Sequence, residues 1–326
     1  KQDVCDARQL VDTCIDQVVN IFDTANMYST GLSEEILGEV LEGRYDDILV
    51  TSKVRMPIGQ GPNDEGLSRW HLIRECERSL KRLRTDHIDI YYMHEWDGLT
   101  PVEEKMAALE TLIQQGKIRY AGCSNYSGWQ VMKSLAAAQS HASRFVTQQI
   151  HYTLEAREAE YELLPLSVDQ GLGLLIWSPL MAGLLSGKHR RGSAPAKGSR
   201  QEAGWDEPPI RDISRLWNIV DSLVEIGEAH EVEAAQVALA WLLTRPAVAS
   251  LVVGGRRIEQ FERNFRAVDL VLSDNELTLL NDVSRLPLVY PYWHQHNFAR
   301  SRFSEADQAL HADYPDRHFG GEDLLI

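Results

Sequence analysis

The feature that most constrains the fold is a regular alternation of short apolar runs with longer stretches of helical periodicity. The short runs are rich in β-branched and aromatic residues, which is typical of strands. The predicted strands are Asn20–Thr24, Asp47–Thr51, Ile88–Tyr92, Ile118–Gly122, Phe145–Gln149, Leu174–Trp177 and Ser250–Val253. The predicted helices include Ser33–Leu41, Ser68–Leu83, Val102–Gln115, Gly128–Gln139 and Ala156–Leu166. Strands that alternate with helices in this way pair in parallel, because each helix returns the chain to the start of the next strand.

The number of strands separates two α/β architectures. Seven strands are predicted, and the chain opens on a helical pattern, Val4–Val18, with no strand before it. A doubly wound open sheet is one possibility, but no GxGxxG follows any predicted strand. A (β/α)8 TIM barrel needs eight strands. We therefore predict a single barrel domain over residues 1–326 whose first strand is missing from this sequence, and expect the natural chain to begin before Lys1.

Two segments interrupt the alternation, and we expect both to lie near the active site. Arg190–Pro209 is rich in Gly, Ser, Pro, Ala and charge, and is predicted to be a long loop. Loops of this length in compact domains are usually disordered or functional, often as lids. The second segment, Leu286–Ile326, is predicted to be an irregular tail rich in aromatic residues, which packs on the barrel or walls the substrate pocket.

Charge and cysteine content exclude several functional classes. The chain has 33 Lys and Arg against 48 Asp and Glu, a net charge of −15. Such a field repels a phosphate backbone, so we expect no nucleic-acid partner. The cysteines are few and far apart, at Cys5, Cys14, Cys76 and Cys123. With no apolar run of about 18 residues, these features predict a soluble cytoplasmic protein that does not enter a membrane.

Polar side chains follow three consecutive predicted strands. Asp23 ends the first of them, with Tyr28 five residues later; Lys53 follows the second strand and His94 the third. In a parallel barrel the active site lies at the carboxyl ends of the strands. Each residue alone is more often a cap, a packing residue or a solvated charge, but their appearance at three successive strand ends is informative.

Carbonyl reduction is the chemistry that needs this set. A hydride added to the carbonyl carbon leaves negative charge on oxygen, where a proton must be supplied. Tyr28 is the predicted general acid, and its ordinary pKa of about 10 calls for help from a neighbouring ammonium. Lys53 is predicted to give that help, with Asp23 holding the ammonium in place, and His94 to polarise the carbonyl oxygen.

Seven segments in order resemble the aldo-keto reductases, in particular the bacterial branch that is similar to the potassium-channel β subunits. The segments, which span about Asn20 to Leu272, are FDTANMYSTGLSEEILG, DILVTSKV, IDIYYMHEWD, GKIRYAGCSNY, QQIHYTLEAR, WSPLMAGLLSGK and VVGGRRIEQFERN. The resemblance implies a TIM barrel that binds NADPH or NADP+ without a Rossmann domain. It also implies that Asp23, Tyr28, Lys53 and His94 are the family's catalytic tetrad.

The resemblance further implies which residues bind the cofactor. Ser124, Asn125 and Gln149 match the residues that hold the nicotinamide carboxamide, and Trp177 matches the aromatic side chain beneath the ring. The stretch around the pyrophosphate corresponds to Ser178, Leu180, Gly183 and Lys188. The site of the adenine and the 2′-phosphate corresponds to Gly255, Arg256, Gln260 and Asn264. Two adjacent arginines at a helix start, Arg256 and Arg257, also suit a phosphate, which favours NADPH over NADH.

The substrate pocket and a metal site are less clearly marked. Plausible pocket walls for a small-molecule carbonyl compound are Met27, Arg55, Trp96, Tyr126, Tyr292 and Trp293. His294 and His296 form an HxH pair without a third ligand at useful spacing, so we predict no metal. Cys123 lies close to the predicted cofactor site and is expected to be a small core residue.

Two other functions stay open on the sequence alone. The resemblance to channel β subunits allows a non-catalytic NADPH-binding partner of a membrane protein, although the complete tetrad weighs against it. A Schiff-base lyase that uses the Lys53 amine is the other alternative. An adjacent Asp23 keeps such an amine charged, which is unfavourable for a nucleophile. The sequence leaves the oligomeric state open.

Overall fold

The structure, a computed structural model, describes residues 2–138, 140–194, 197–204, 207–255 and 257–315. It divides into two compact units. The first consists of Lys1–His151, Leu172–Trp177 and Ala249–Arg266, and the second of Tyr152–Gly171, Ser178–Val248 and Ala267–Ile326. A single domain over residues 1–326 stays a prediction. Among the residues described, no helix combines the length and the apolar character needed to cross a membrane.

In the described residues, seven strands form one sheet in the order in which they occur in the chain. They are β1 (Ile21–Asp23), β2 (Leu49–Val54), β3 (Ile88–Met93), β4 (Ile118–Ser124), β5 (Phe145–His151), β6 (Gly173–Trp177) and β7 (Val248–Val252). The five strand pairs from β1 and β2 to β5 and β6 are all parallel. All seven predicted strands are therefore present, with shifts of a few residues at their ends.

The sheet curls into a nearly closed (β/α) barrel. Ile90 and Tyr92 of β3 pack in one cluster with Leu175 of β6, and Val252 of β7 packs against it. Neighbouring strands lie about 4.8 Å apart, so in a flat sheet β3 and β6 would be about 14 Å apart. Contact between their side chains requires curvature. The prediction of a TIM-barrel fold is confirmed, and a doubly wound open sheet is excluded.

Side chains that alternate along the strands fill the barrel interior. Tyr92 lies beside Gly122 on β4, where an added Cβ would be 2.5 Å from the tyrosine ring. The Tyr92 hydroxyl donates to Thr147 Oγ1 on β5 at 3.4 Å. Thr147 is itself opposite Gly122 in the strand register. A large aromatic side chain on β3 therefore fits because its neighbour on β4 has no side chain.

Helices connect the strands and continue beyond the last of them. They are α1 (Gln2–Asp16), α2 (Leu32–Leu41), α3 (Arg69–Leu83), α4 (Val102–Gln114), α5 (Gly128–Ala137), α6 (Ala159–Gln170), α7 (Ile213–Ala229), α8 (Ala234–Leu243), α9 (Ile258–Phe265), α10 (Asp274–Ser284), α11 (Tyr292–Phe298) and α12 (Glu305–His311). Local signals begin several of them. Ser68 caps α3 by accepting from the His71 amide, and Ser127 forms a capping box with Gln130 at α5.

The prediction of an irregular tail is wrong for part of its length. Residues 286–315 contain the helices α11 and α12, and residues beyond 315 lie outside the described chain. These helices have seven residues each, too few for a clear periodic signal. The prediction of a long loop holds better, since the described parts of 190–209 contain no helix or strand.

A buried ionic cluster joins distant segments of the second unit. Arg157 donates to Glu160 Oε1 and to Asp313 Oδ2, both at 2.8 Å. Arg245 donates to the same Asp313 oxygen at 2.7 Å. The side chains of Arg157 and Glu160 are at most 4% exposed, and that of Asp313 is 15% exposed. Asp313 follows α12 and thereby ties the end of the described chain to α6 and to the end of α8.

Candidate active site

Three strand ends bring the predicted tetrad together within the first unit. Asp23 is the last residue of β1, Lys53 lies in β2, and His94 directly follows β3. The His94 amide donates to the Val54 carbonyl at 2.9 Å, which fixes its position beside the end of β2. Tyr28 begins the 3-10 turn Tyr28–Gly31 after β1. The four side chains predicted to act together are therefore neighbours.

The Asp23 carboxylate accepts from three side chains. Lys53 Nζ lies 2.5 Å from Oδ2, and Thr51 Oγ1 donates to Oδ1 at 2.5 Å. Gln149 Nε2, on β5, donates to the same Oδ1 at 2.8 Å. Lys53 also donates to the Thr24 carbonyl at 2.8 Å, and its side chain is fully buried. This set fixes the position of the Lys53 ammonium.

Tyr28 is the accessible member of the group. It is 38% exposed, and Lys53 Nζ lies 5.0 Å from the centre of its ring. The ring meets that of His94 edge to face, with centres 5.8 Å apart and an angle of 79°. A cation close to the ring stabilises negative charge on the phenol oxygen. The Tyr28 side chain therefore reaches solvent, while its ring lies next to both Lys53 and His94.

His94 is neutral at ordinary pH. Burial, the charge of Lys53 and that of Arg55 lower its pKa to about 4, against an opposing effect of Asp23. Nδ1 is buried and forms no hydrogen bond within the described residues. A neutral imidazole has one N–H and one acceptor nitrogen. His94 can therefore donate a hydrogen bond to an uncharged carbonyl oxygen without bringing a second positive charge next to Lys53.

Asn125 links the third, fourth and sixth strand ends. Its Nδ2 donates to the His94 carbonyl at 3.2 Å, and its Oδ1 accepts from Trp177 Nε1 at 3.0 Å. The backbone at Asn125 has a positive φ of 58°, which Asn tolerates better than most residues. Both ends of the amide are therefore engaged in positioning other predicted site residues.

Trp177 and Ser124 offer groups suited to a planar ligand. The Trp177 ring lies 4.5 Å from that of His151, tilted by 32°, and its indole N–H is held by Asn125. Ser124 Oγ is buried and has no hydrogen-bond partner in the described chain. Ser124 is opposite Gln149 in the strand register. A fixed indole and an unsatisfied buried hydroxyl on the same barrel end fit a bound carboxamide-bearing ring.

The residues after β7 lie at the start of a helix in the first unit. Gly255 packs so tightly that an added Cβ would be 2.9 Å from the Phe261 ring. Gln260 Oε1 accepts from the Arg257 amide at 3.2 Å, at the N-terminus of α9, and Asn264 lies in its last turn. Arg257 is exposed at this helix start. Arg256 lies outside the described residues.

Four predicted cofactor residues belong to the second unit. Ser178 has a positive φ of 50°, and its Oγ accepts from the Ala182 amide at 3.1 Å. Leu180 precedes the 3-10 segment Met181–Ser186, which contains Gly183 at a φ of 95°. Lys188 is exposed. Ser178, Leu180 and Gly183 therefore lie in a series of tight turns within this unit.

The predicted substrate residues divide into two groups. Met27, Arg55, Trp96 and Tyr126 lie in the first unit, where Trp96 packs edge to face on Tyr126 at 5.1 Å. Tyr126 is only 2% exposed, and its hydroxyl contacts Met93 Sδ at 3.5 Å. It therefore packs against Trp96 from the protein interior. In the second unit, Tyr292 stacks on Tyr161 at 5.5 Å and Trp293 is 44% exposed.

The two tail histidines have different surroundings. His294 is exposed, whereas His296 is buried with its Nδ1 3.3 Å from Nδ1 of His311. Among the described residues, no group of three or more His, Cys, Asp or Glu side chains is arranged to hold a metal ion. Cys123 is fully buried, as expected of a core residue.

Two residues at the site were not predicted from the sequence. Thr51 donates to Asp23, and His151 lies against Trp177. A signal for each was present, because Thr51 is two residues before Lys53 and His151 two residues after Gln149. Residues two apart on a strand point to the same face.

The barrel is the fold that the sequence resemblance implies, and the comparisons identify the family. The family model of the Aldo/keto reductase family matches residues 2–285. The chain therefore belongs to the aldo/keto reductase family, whose members are oxidoreductases of carbonyl compounds that use a nicotinamide dinucleotide.

Curated relatives fall in both groups that the sequence suggests. An uncharacterized oxidoreductase, YrpG, of Bacillus subtilis is 38% identical over 85% of this chain and 86% of its own length. A probable voltage-gated potassium channel subunit beta of Arabidopsis thaliana is 35% identical over 82% of this chain and 84% of its own. The norsolorinic acid reductase stcV of Emericella nidulans is 32% identical over 95% and 78%, respectively.

Proposed function

We propose that the protein reduces an aldehyde or ketone to the alcohol with NADPH, and that Tyr28 supplies the proton. The observation that carries the proposal is the arrangement around Tyr28. Its exposed ring lies 5.0 Å from the buried Lys53 ammonium, and that ammonium is 2.5 Å from the Asp23 carboxylate. His94 borders the same ring. These are the groups that carbonyl reduction requires, in mutual contact.

Each member of the tetrad has a separate task in this proposal. The Tyr28 O–H donates its proton to the carbonyl oxygen, and the phenolate that remains is stabilised by Lys53. Asp23 keeps the ammonium in place, helped by Thr51 and Gln149, which fix the carboxylate. The neutral His94 ring donates a hydrogen bond to the same carbonyl oxygen, which orients the substrate and stabilises developing negative charge.

The residues at the barrel end fit a nicotinamide cofactor, which when bound supplies the hydride. The unsatisfied Ser124 hydroxyl suits its carboxamide, and the indole of Trp177, held by Asn125, suits its ring. Gln149 is predicted to bind the carboxamide as well, although its Nε2 is engaged with Asp23, which leaves its other atoms for that task. Asn125 is held by His94 and Trp177, so we assign it to positioning the Trp177 indole.

The preference for NADPH rests on the segment after β7. Arg257 is exposed at the N-terminus of α9, and Arg256 precedes it in the chain. Guanidinium groups next to the free amides of a helix start favour a phosphate. Gly255, Gln260 and Asn264 are proposed to line the adenine end, and Ser178, Leu180, Gly183 and Lys188 the pyrophosphate. The cytoplasmic location stays a prediction.

Titration of the purified protein with NADPH and with NADH, followed by tryptophan fluorescence, is the first test. We expect strong quenching by NADPH at lower concentration than by NADH, because Trp177 reports on its own site. A Trp70→Phe variant serves as a control, since Trp70 is exposed on α3, and it should keep the response. A set of aldehydes is then added while NADPH absorbance is followed. Binding without turnover of any aldehyde would contradict the proposal.

The alternatives make different predictions in the same assay. A non-catalytic partner of a membrane protein, to which the similarity with channel β subunits points, would retain NADPH tightly and turn it over very slowly. A Schiff-base lyase would be trapped by borohydride at Lys53 in the absence of NADPH. The buried Lys53 Nζ, bound by Asp23 and the Thr24 carbonyl, has no exposed surface for attack on a carbonyl carbon.

A further inference from the structure

Arg55 is a partly buried guanidinium beside His94 that has no carboxylate partner among the described residues. Its Nε is buried without a hydrogen bond among the described residues, and its Nη1 contacts Met56 Sδ at 3.8 Å. Several other arginines with side chains no more than 23% exposed pair with carboxylates. They include Arg74, Arg82, Arg157, Arg215, Arg245 and Arg285.

An unpaired charge at such a place is unfavourable for folding. Removing a charged group from water costs free energy that an ion pair or good hydrogen bonds must offset. Glu95, which follows the next strand end, forms no ion pair with Arg55, and its Oε1 accepts from the Trp96 amide at 3.0 Å. The guanidinium is therefore available to an anion from outside the chain.

The backbone places Arg55 at the end of β2, next to His94 of the tetrad. Val54 pairs with Met93 in the register of β2 and β3, and its carbonyl accepts from the His94 amide. Arg55 is the next residue, with a φ of 144° that side-chain-bearing residues rarely adopt. Its carbonyl accepts from the Gly66 amide at 2.9 Å, which holds this conformation. Uncommon backbone conformations of this kind concentrate at functional sites.

The charge of Arg55 affects the pKa values of two neighbouring side chains, His94 and Glu95. It contributes to the lowered pKa of His94, after burial and Lys53, and it opposes the rise that burial causes in the pKa of Glu95. Lys53 is already neutralised by Asp23, whereas Arg55 is not. Arg55 is therefore a cation beside His94 that forms no ion pair within the part of the chain that the structure describes.

We propose that Arg55 binds a carboxylate of the substrate, and that the protein prefers aldehydes or ketones that carry one. The inference rests on the proposed carbonyl reduction, because it names the class of substrate for the same site. Arg offers two parallel N–H donors that match a carboxylate. Trp96, two residues after His94, packs on Tyr126 and Trp129 and has the Lys105 ammonium 3.8 Å from its ring centre, so it is a rigid aromatic surface. An aromatic carbonyl acid fits both features.

The test compares 4-carboxybenzaldehyde with its uncharged methyl ester, methyl 4-formylbenzoate, as substrates with NADPH. We expect kcat/KM for the acid to exceed that for the ester by about tenfold or more, mainly through KM. Arg55→Met should abolish this ratio, and Arg55→Lys should restore part of it by keeping the charge. Arg84→Met is the matched control, since Arg84 also has a positive φ and forms only exposed ion pairs.

A binding measurement separates failure of this inference from failure of the proposed function. The fluorescence titration is repeated with the corresponding alcohols, 4-(hydroxymethyl)benzoate and its methyl ester. Tighter binding of the carboxylate that depends on Arg55, without turnover of either aldehyde, would support the anion site and reject the reductase. Equal kcat/KM for acid and ester in the unaltered protein would overturn the inference. So would an Arg55→Met variant that keeps the ratio but binds NADPH more weakly, since the anion would then be a cofactor phosphate.

Discussion

Gln149 Nε2 on β5 lies 2.8 Å from Oδ1 of Asp23 on β1, although the two residues are 126 positions apart in the chain. The hydrogen bond crosses the barrel interior, because β1 and β5 are separated by three strands in the sheet. It joins a residue predicted to bind cofactor to the residue that holds the Lys53 ammonium. Curvature of the sheet therefore brings the Gln149 side chain to the Asp23 carboxylate.

Replacement of Tyr28 by phenylalanine should abolish most of the activity. The variant keeps the ring beside Lys53 and His94 but lacks the proton donor, so kcat should fall by about a hundredfold or more. Affinity for NADPH should change little. Steady-state kinetics with an aldehyde and fluorescence titration with NADPH provide the measurement. Tyr120→Phe, an exposed tyrosine on β4, is the control, and equal kcat in the two variants would disprove the role of Tyr28.

The two partners of the buried ion pair should differ in their effect on stability. Asp23→Asn leaves the buried Lys53 ammonium without a counter-charge and should cost about 3 kcal/mol of unfolding free energy. Lys53→Met leaves Asp23 with its bonds from Thr51 and Gln149, and should cost less. Denaturant unfolding of both variants measures the difference. A larger loss of unfolding free energy in Lys53→Met than in Asp23→Asn would contradict this account of the ion pair. Both variants are expected to lose reductase activity.

Gly122 should not tolerate a side chain. An alanine Cβ would lie 2.5 Å from the Tyr92 ring and 3.1 Å from Thr147 Cγ2, so the core must shift. We expect Gly122→Ala to lower the unfolding free energy by about 1–3 kcal/mol. Gly254→Ala is the control, because a Cβ there meets no atom within 4 Å and the residue needs no positive φ. Similar denaturation midpoints for the two variants would contradict this account of barrel packing.

The buried cluster around Asp313 should be important for the second unit. Burial raises the pKa of Asp313, but Arg245 and Arg157 outweigh this and hold it below its usual value. Asp313→Asn should cost about 3 kcal/mol, since two buried arginines share its carboxylate. Asp282→Asn removes only an exposed pair with Arg285 and should change stability by less than about 0.5 kcal/mol. Thermal unfolding compares them, and equal effects would argue against the cluster.

Stability should fall as pH decreases from about 6.5 to 4, in part because of His311. Burial and the neighbouring His296 lower the pKa of His311 to about 4, opposed by Asp307. Between this value and 6.5 the unfolded chain binds more protons than the folded one, so acid favours unfolding, by up to about 3 kcal/mol.

The variant His311→Asn tests this contribution. It keeps a hydrogen-bonding group near His296 but cannot titrate, so its unfolding free energy should depend less on pH in this range. His94, whose pKa is also about 4, adds a slope of the same sign that is common to both proteins. His294→Asn, an exposed histidine on α11, is the control and should retain the slope of the unaltered protein. An unchanged slope in His311→Asn would refute the assignment.

The sequence predicted the elements whose signals are local. Strands such as Ile88–Met93 and helices such as Arg69–Leu83 have the right periodicity and clear ends, and the predicted bounds were close. The short helices Tyr292–Phe298 and Glu305–His311 were missed, because two turns carry too little periodicity to distinguish them from a loop. The tetrad could be predicted because Asp23, Lys53 and His94 lie at successive strand ends, and parallel strands place their ends side by side.

Partners from distant parts of the chain were decided only by the tertiary structure. The order of the strands, the residue types at their ends and the net negative charge could all be read from the amino-acid sequence. The contact of Gln149 with Asp23 and the position of Asp313 between Arg157 and Arg245 follow from closure of the sheet and packing of the helices. The same holds for Arg55, which has no carboxylate partner in the described parts of the chain. The physical reason is that hydrogen bonds and ion pairs act over a few ångströms in space, and sequence periodicity does not encode which distant segments come that close.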